Sequence, residues 1–229
     1  MVERLLKARQ YMSPLFRARL LSLGPTTHVL MLTAHHIVFD GWSMGVCVKE
    51  LAALYSAERA GSVASLPAAA KFDAYARAQA ELRGSEAFRK ALDHWHARFA
   101  GSAPVLELPV DRPRPPARTF NSVREDFTLS PELVAQVKKL GAKSGTSFFV
   151  TLLAGFAALL HRLTGQDDVV VGIPAAGQNF SNVEGLVGHC VNTLPIRAFV
   201  DGAQPFSALI KAARTSVLDA YEHQTIAFG

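Results

Sequence analysis

Apolar residues along this chain fall on two spacings, and each spacing predicts its own kind of element. Leu15–Leu23 and Thr27–Ala34 are strand-like runs on either side of Gly24-Pro25, a turn signal, so a hairpin is expected. From Met44 to Arg59 the spacing becomes helical, with Met44, Val48, Leu51, Leu54 and Tyr55 on one face and Ser43 placed to cap the helix. Two more helices are expected over Lys71–Arg83 and Ser85–Phe99, parted by Gly84. Five of the twelve prolines then fall between Pro104 and Pro116. Proline fixes φ and removes a backbone donor, which suits neither a helix interior nor a central strand. Residues 101–122 therefore read as an extended connection between a first lobe over 1–100 and a second over 123–229.

The second part resumes with a strand over Val123–Leu129 and a helix opened by Ser130-Pro131-Glu132: a capping hydroxyl, a proline tolerated in the first turn, and an acid at the positive helix end. Thr146 or Ser147 caps the next helix, which runs to Leu163 and stops at Gly165. It is apolar nearly all round and is expected to be buried. A buried-type strand over Val169–Ile173, a loop over Ala175–His189, a strand over Val191–Phe199 and a helix over Pro205–Glu222 complete the pattern.

Composition narrows this further. With 229 residues, 49% of them hydrophobic, the chain can bury a sizeable core in one or two domains. The most apolar run, Phe148–Leu160, is shorter than a membrane-spanning helix, and Met1–Arg9 lacks the apolar segment of a secretory signal. The only cysteines are Cys47 and Cys190, with no C-x-x-C pair, so a reduced, cytoplasmic protein without a membrane partner is expected. The net charge of +5 comes from dispersed basic residues. That distribution does not predict a nucleic-acid partner, though it can attract an acidic protein.

The chemistry concentrates in Ala34-His35-His36-Ile37-Val38-Phe39-Asp40-Gly41-Trp42-Ser43, where a strand gives way to a loop. In an extended segment neighbouring side chains face opposite ways, so one histidine can face a cleft while the other packs inward. The same geometry argues against joint metal ligation by His35, His36 and Asp40, and the remaining histidines show no ligand spacing, so no metal is expected. A second stretch, Val187-Gly188-His189-Cys190-Val191-Asn192-Thr193-Leu194-Pro195-Ile196-Arg197, places a thiol beside a histidine, but Cys190 reads better as a small buried residue than as a nucleophile.

The first stretch resembles the H-H-x-x-x-D-G signature of condensation domains of nonribosomal peptide synthetases, in the chloramphenicol acetyltransferase-like superfamily. The second resembles the family's V-G-x-F-V-N-T-L-x-x-R, with Cys190 where an aromatic residue is usual. Phe72-Asp73-Ala74-Tyr75-Ala76 and His223-Gln224-Thr225-Ile226-Ala227-Phe228-Gly229 echo two further motifs loosely. No counterpart of the family's opening motifs precedes Pro14, so the chain looks like about half of such a domain, incomplete at both ends.

The resemblance implies an α/β fold of two lobes, each of mixed sheet flanked by helices. It implies amide-bond formation between a donor thioester and an acceptor amine, both carried on phosphopantetheine arms. The partners are then carrier proteins and adjacent synthetase domains, with no cofactor bound by the domain itself. His36 takes the main role, as general base or by positioning the amine. His35 is structural or orienting. Asp40 holds the loop by pairing with an arginine, for which Arg197 is the candidate. Gly41 serves the turn or offers its amide to a developing oxyanion. Trp42, Ser43 and Asn192 shape the tunnel or the framework around it. Ester-forming acyltransferases of the superfamily share H-x-x-x-D-G, and a carrier-binding module without activity is the alternative from another class.

Overall fold

The computed structural model describes residues 14–101, 103–117, 119, 122–180, 183 and 185–226. The described chain forms two compact units. The first comprises residues 1–83 and 175–192, the second 84–174 and 193–229. The described residues of the proline-bearing segment belong to the second unit.

In the first unit, β1 (Phe16–Ser22) and β2 (His28–Ala34) form the expected antiparallel hairpin, in a register that sets Phe16 opposite Ala34 and Ser22 opposite His28. The turn closes by a hydrogen bond from the Leu23 amide to the Thr27 carbonyl at 2.9 Å. Helix α1 (Gly41–Arg59) follows the loop, and α2 (Phe72–Leu82) comes after a coil. The cap of α1 is Asp40, not Ser43: an extended Asp40 accepts from the Ser43 amide at 2.8 Å, so the helix starts at Gly41. An aspartate in that geometry satisfies an orphan donor and also sets negative charge at the positive helix end. The apolar stripe of α1 is present as spaced, but it faces solvent, with Val48 52% and Tyr55 62% exposed.

The second unit holds α3 (Glu86–Arg98), α4 (Pro131–Lys143), α5 (Phe148–Thr164) and α7 (Phe206–Glu222), together with most of strands β3 (Asp168–Ala176) and β4 (Val191–Phe199). Between the strands comes the single turn α6 (Gly177–Phe180), in the first unit. β3 and β4 are hydrogen-bonded neighbours and run antiparallel: Val200 donates to the Asp167 carbonyl at one end, Gly177 to the Cys190 carbonyl at the other. Capping of α4 by Ser130 with Pro131 in its first turn, and of α5 by Ser147, agrees with the sequence pattern.

The core of this unit forms where one face of α5 (Val150, Leu153, Ala154, Ala157, Leu160) and one face of α7 (Ile210, Ala213, Val217, Ala220) are buried. Ala157, Leu160, Val169 and Val200 form its centre, with Leu106 and Leu209 packed against it. Alanines on both helices permit close approach, since packing density is set by side-chain volume. The proline-bearing segment is pinned to this core by Gln166, whose Nε2 donates to the Val105 carbonyl while its Oε1 accepts from the Glu107 amide.

Two expectations fail here. Helix α5 is not buried all round: Phe149, Phe156, Leu159 and Leu163 lie exposed on the side away from the core. Val123–Leu129 forms no strand. Among the described residues it has no ladder partner, and Val123 and Phe127 are 86% and 87% exposed. No single helix among the described residues is long and apolar enough to cross a membrane.

Helix α5 ends on Gly165 at φ 70°, whose amide donates to the His161 carbonyl at 2.7 Å. A side chain at that φ meets its own carbonyl. Gly165→Ala is expected to lower unfolding free energy by about 1–2 kcal/mol, read from urea denaturation followed by circular dichroism.

Candidate active site

The loop between β2 and α1 is a turn, not an extended segment. The Val38 amide donates to the His35 carbonyl at 3.1 Å, and Phe39 to His36 at 3.4 Å. The alternation that would bury one histidine therefore does not apply. Both His35 and His36 are exposed, and the Nδ1 of His35 accepts from the Ile37 amide at 3.1 Å. What turns inward is the next pair, Phe39 and Asp40, 7% and 3% exposed. Phe39 packs on Phe16 of β1 with ring centroids 5.5 Å apart, which ties the loop to the hairpin.

Asp40 is the centre of the site's framework. Its Oδ1 accepts from the Ser43 amide at 2.8 Å and lies 2.7 Å from the Ser43 hydroxyl. Its Oδ2 accepts from Gln178 Nε2 at 2.8 Å and from the Cys190 amide at 3.0 Å. Burial alone would raise the carboxyl's pKa. The Cys190 amide, Gln178 and Ser43 outweigh it and hold the group below its ordinary value, so it is a carboxylate. Ser43, fully buried, reaches the backbone of Gly188 in both directions: its Oγ accepts from the amide at 3.0 Å and lies 3.0 Å from the carbonyl oxygen. Its single proton serves either that carbonyl or Asp40. Gln178 is fully buried too, and its Oε1 has no partner among the described residues.

Arg197 is not the cation expected for Asp40. It makes a bidentate pair with Asp168 in the second unit, with Nη2 2.6 Å and Nε 2.9 Å from the carboxylate. Its Nη1 donates to the Arg98 carbonyl, and its guanidinium lies over the rings of Phe99 and Phe199. The two residues stand near neighbouring ends of their strands, and each satisfies the other's fork geometry.

Gln178, His189 and Tyr75 are the residues that sequence reasoning did not place. From Gly185 to Cys190 burial alternates: Leu186, Gly188 and Cys190 are inside, Val187 and His189 outside. His189 thus reaches His36. Their Nδ1 atoms are 3.1 Å apart and the rings meet edge to face, centroids 5.1 Å apart. Strand alternation counted back from Val191 would have separated His189 from Cys190. Gln178 carried no signal, because a neutral amide inside an apparent loop marks nothing.

The phenol of Tyr75 on α2 lies beside the Cys190 thiol. Burial, and then the neighbouring Cys190 and Asp40, push its phenol up to about 12. Burial and the Asp40 charge push the Cys190 thiol up to about 11, so it is not a thiolate nucleophile near neutral pH. Gly177 is obligatory here: a Cβ would sit 2.6 Å from the Tyr75 hydroxyl and against the Cys190 carbonyl. Trp42, half-buried, lines a cavity of about 700 Å³ along α1 with Gly41, Val46, Lys49, Leu66 and Gly185. At Gly41 a Cβ would meet nothing within 4 Å. Asn192 is half-buried at the start of β4. Among the described residues no group of three or more His, Cys, Asp or Glu side chains is gathered as a metal site would gather them.

Residues 7–229 match the family described as Condensation domain, and the chain belongs to that family. It is 42% identical over 217 residues to the phosphinothricin tripeptide synthetase PhsB of Streptomyces viridochromogenes, a match that covers 94% of this chain and 18% of that protein. A linear gramicidin synthase of Brevibacillus parabrevis is 39% identical over 218 residues, covering 94% of this chain and 3% of its own length. The first condensation domain of the calcium-dependent antibiotic synthetase, solved with a substrate analogue, superposes with a TM-score of 0.80 at 27% identity over 93% of this chain and 46% of that one. SgcC5 from Streptomyces globisporus, solved with (R)-(-)-1-(2-naphthyl)-1,2-ethanediol and sucrose, gives 0.79 at 31% identity over 93% and 48%. The fold is thus the α/β, chloramphenicol acetyltransferase-like one, and the chain spans about half of those solved chains.

Two outcomes are expected of this framework. Asp40→Ala strands the Cys190 amide, the Gln178 amide group and the Ser43 amide, and each buried donor left unpaired costs about 1–3 kcal/mol. Calorimetry of the variant should show that loss. Because the folded carboxyl is held below its ordinary value, the contribution is complete above about pH 4 and lost as pH falls through the folded pKa. Asp40→Ala should therefore flatten the acid limb of the stability profile. In the second unit, Arg197→Lys loses the bidentate fork and both ring contacts, and should cost about 1–3 kcal/mol in denaturant unfolding.

Proposed function

We propose that this chain carries the catalytic loop of a condensation domain that joins a donor thioester to an acceptor amine, each tethered to a carrier protein through phosphopantetheine. The observation that carries this reading is His36. Its imidazole is exposed at the head of a loop that the buried Asp40 and Phe39 hold in place. Family membership and the synthetase relatives supply the reaction class.

The chemistry asks for little more than such a group. The amine attacks the thioester carbonyl, the C–S bond breaks, the pantetheine thiol leaves, and the amine gives up a proton. An imidazole titrates near neutrality and can take that proton or orient the amine before attack. His35, turned to its own loop, supports the turn. The domain needs no cofactor of its own, because the reactive thioester arrives on the carrier's arm. Carrier proteins and neighbouring synthetase domains are then the partners, in the cytoplasm, where both cysteines stay free. We propose, too, that residues 1–100 and 123–229 belong to the two lobes of that domain.

An ester-forming acyltransferase is the second reading. The neighbour solved with a diol favours it, since a hydroxyl nucleophile places the same demands on His36.

The test uses the full-length gene product with loaded donor and acceptor carriers, followed by mass spectrometry of the condensed thioester. His36→Ala is expected to slow condensation by about 10²–10⁴-fold, with melting temperature and carrier binding unchanged because the side chain is exposed. An ester product with hydroxy-acyl acceptors alone would favour the second reading. A His36→Ala variant that condenses at the wild-type rate would refute both.

A further inference from the structure

We propose that His189 is a positioning residue for His36: it fixes the tautomer of the catalytic imidazole and so presents its Nε2 lone pair to the substrate. The inference rests on the reaction proposed above and on a contact that the reaction class alone does not require.

The Nδ1 atoms of His36 and His189 lie 3.1 Å apart, in rings 82° from coplanar. Two such nitrogens at that distance share one proton. One ring donates an N–H and the other offers a lone pair. A proton-accepting His36 must keep Nε2 unprotonated, so its own proton sits on Nδ1 and points at His189. His189 then accepts at Nδ1 and carries its proton on Nε2. In a neutral imidazole the hydrogen bond made by one nitrogen decides the state of the other. Among the described residues Nε2 of His36 has no partner, which leaves it open to the acceptor amine. When it takes the amine's proton, the resulting imidazolium still donates through Nδ1 to His189. His189 therefore does for His36 what the buried carboxylate does for the histidine of a serine-protease triad, with a neutral acceptor in place of a charged one.

The placement of His189 is built rather than incidental. Its neighbours on both sides are locked inward: Gly188 by two contacts with the buried Ser43 hydroxyl, Cys190 by its amide on Asp40. Both anchors belong to the framework that also holds the loop carrying His36. The two imidazoles thus share one foundation and keep their register. His35 and Asp40 lie on the same loop as His36, and Cys190 adjoins His189 in sequence. Asp40 faces away from the pair, toward Ser43, Gln178 and the Cys190 amide.

The experiment has two arms. In the first, the chain is labelled with ¹⁵N-histidine and the tautomer of His36 is read from its ring nitrogen shifts with both imidazoles neutral. The wild type should show the Nδ1–H tautomer, and His189→Phe, which keeps a ring without an acceptor, should lose it. A wild-type His36 protonated on Nε2, or one unchanged by His189→Phe, overturns the proposal. In the second arm, the full-length gene product is assayed with loaded carriers. His189→Phe should lower kcat by about tenfold or more with KM for the acceptor carrier little changed, and His189→Asn, which restores an acceptor, should recover most of the loss. His189→Phe at the wild-type kcat also overturns it. If the wild-type protein condenses no carrier pair, the proposed reaction fails, and the tautomer arm still decides whether His189 sets the state of His36.

Discussion

A carboxylate cannot stay ionised out of water unless its oxygens are filled, and the first unit is arranged around meeting that demand for Asp40. Four hydrogen-bond partners on three chain segments converge on it: the start of α1, the turn α6, and the approach to β4. Each donor is fixed by something else. Ser43 is buried in α1 and bonded to Gly188; Gln178 sits in the turn that Gly177 allows beside Tyr75. The loop's conformation is therefore a consequence of satisfying one charge. The exposed histidine reaches solvent because the aspartate four residues on cannot.

The segment entering β4 has a double use. Alternate residues send a backbone amide inward to Asp40 and a side chain outward to His36. A shift of one residue would exchange these roles, turning Cys190 to solvent and the imidazole of His189 into the apolar interior. Glycine at 177 and the Tyr75–Cys190 contact guard against that shift from the other side.

Much of this was legible in the sequence because local rules wrote it. The hairpin, the caps at Ser130 and Ser147, the stop at Gly165 and the extent of β4 and α7 follow from turn residues, hydroxyl donors and periodicity, all of which act over a few positions. The motif around His36 was legible for a different reason: its residue types are rare together. What escaped was nonlocal. Whether the apolar stripe of α1 or the outer side of α5 is covered depends on what packs there. An alternating run such as Val123–Leu129 becomes a strand only with a partner to bond. The assignment of Arg197 to Asp40 matched charges by resemblance, whereas Asp168, the first residue of the facing strand, was nearer to hand. Gln178 stood in for the expected cation, and nothing in its side chain announces such a role.

That substitution of amide for cation sets the two units apart. Arg197 and Asp168 attract each other as charges, and dissolved ions weaken such a pair wherever water reaches it. Around Asp40, the buried Gln178 side chain, the Ser43 side chain and two peptide groups contribute dipoles only. Dipoles a few ångströms away and sealed from solvent leave mobile ions little to screen. The loop that carries His36 is thus fastened by an arrangement indifferent to the saltiness of its surroundings, and the geometry of the imidazole pair stays the same across ionic conditions that would loosen a conventional bridge.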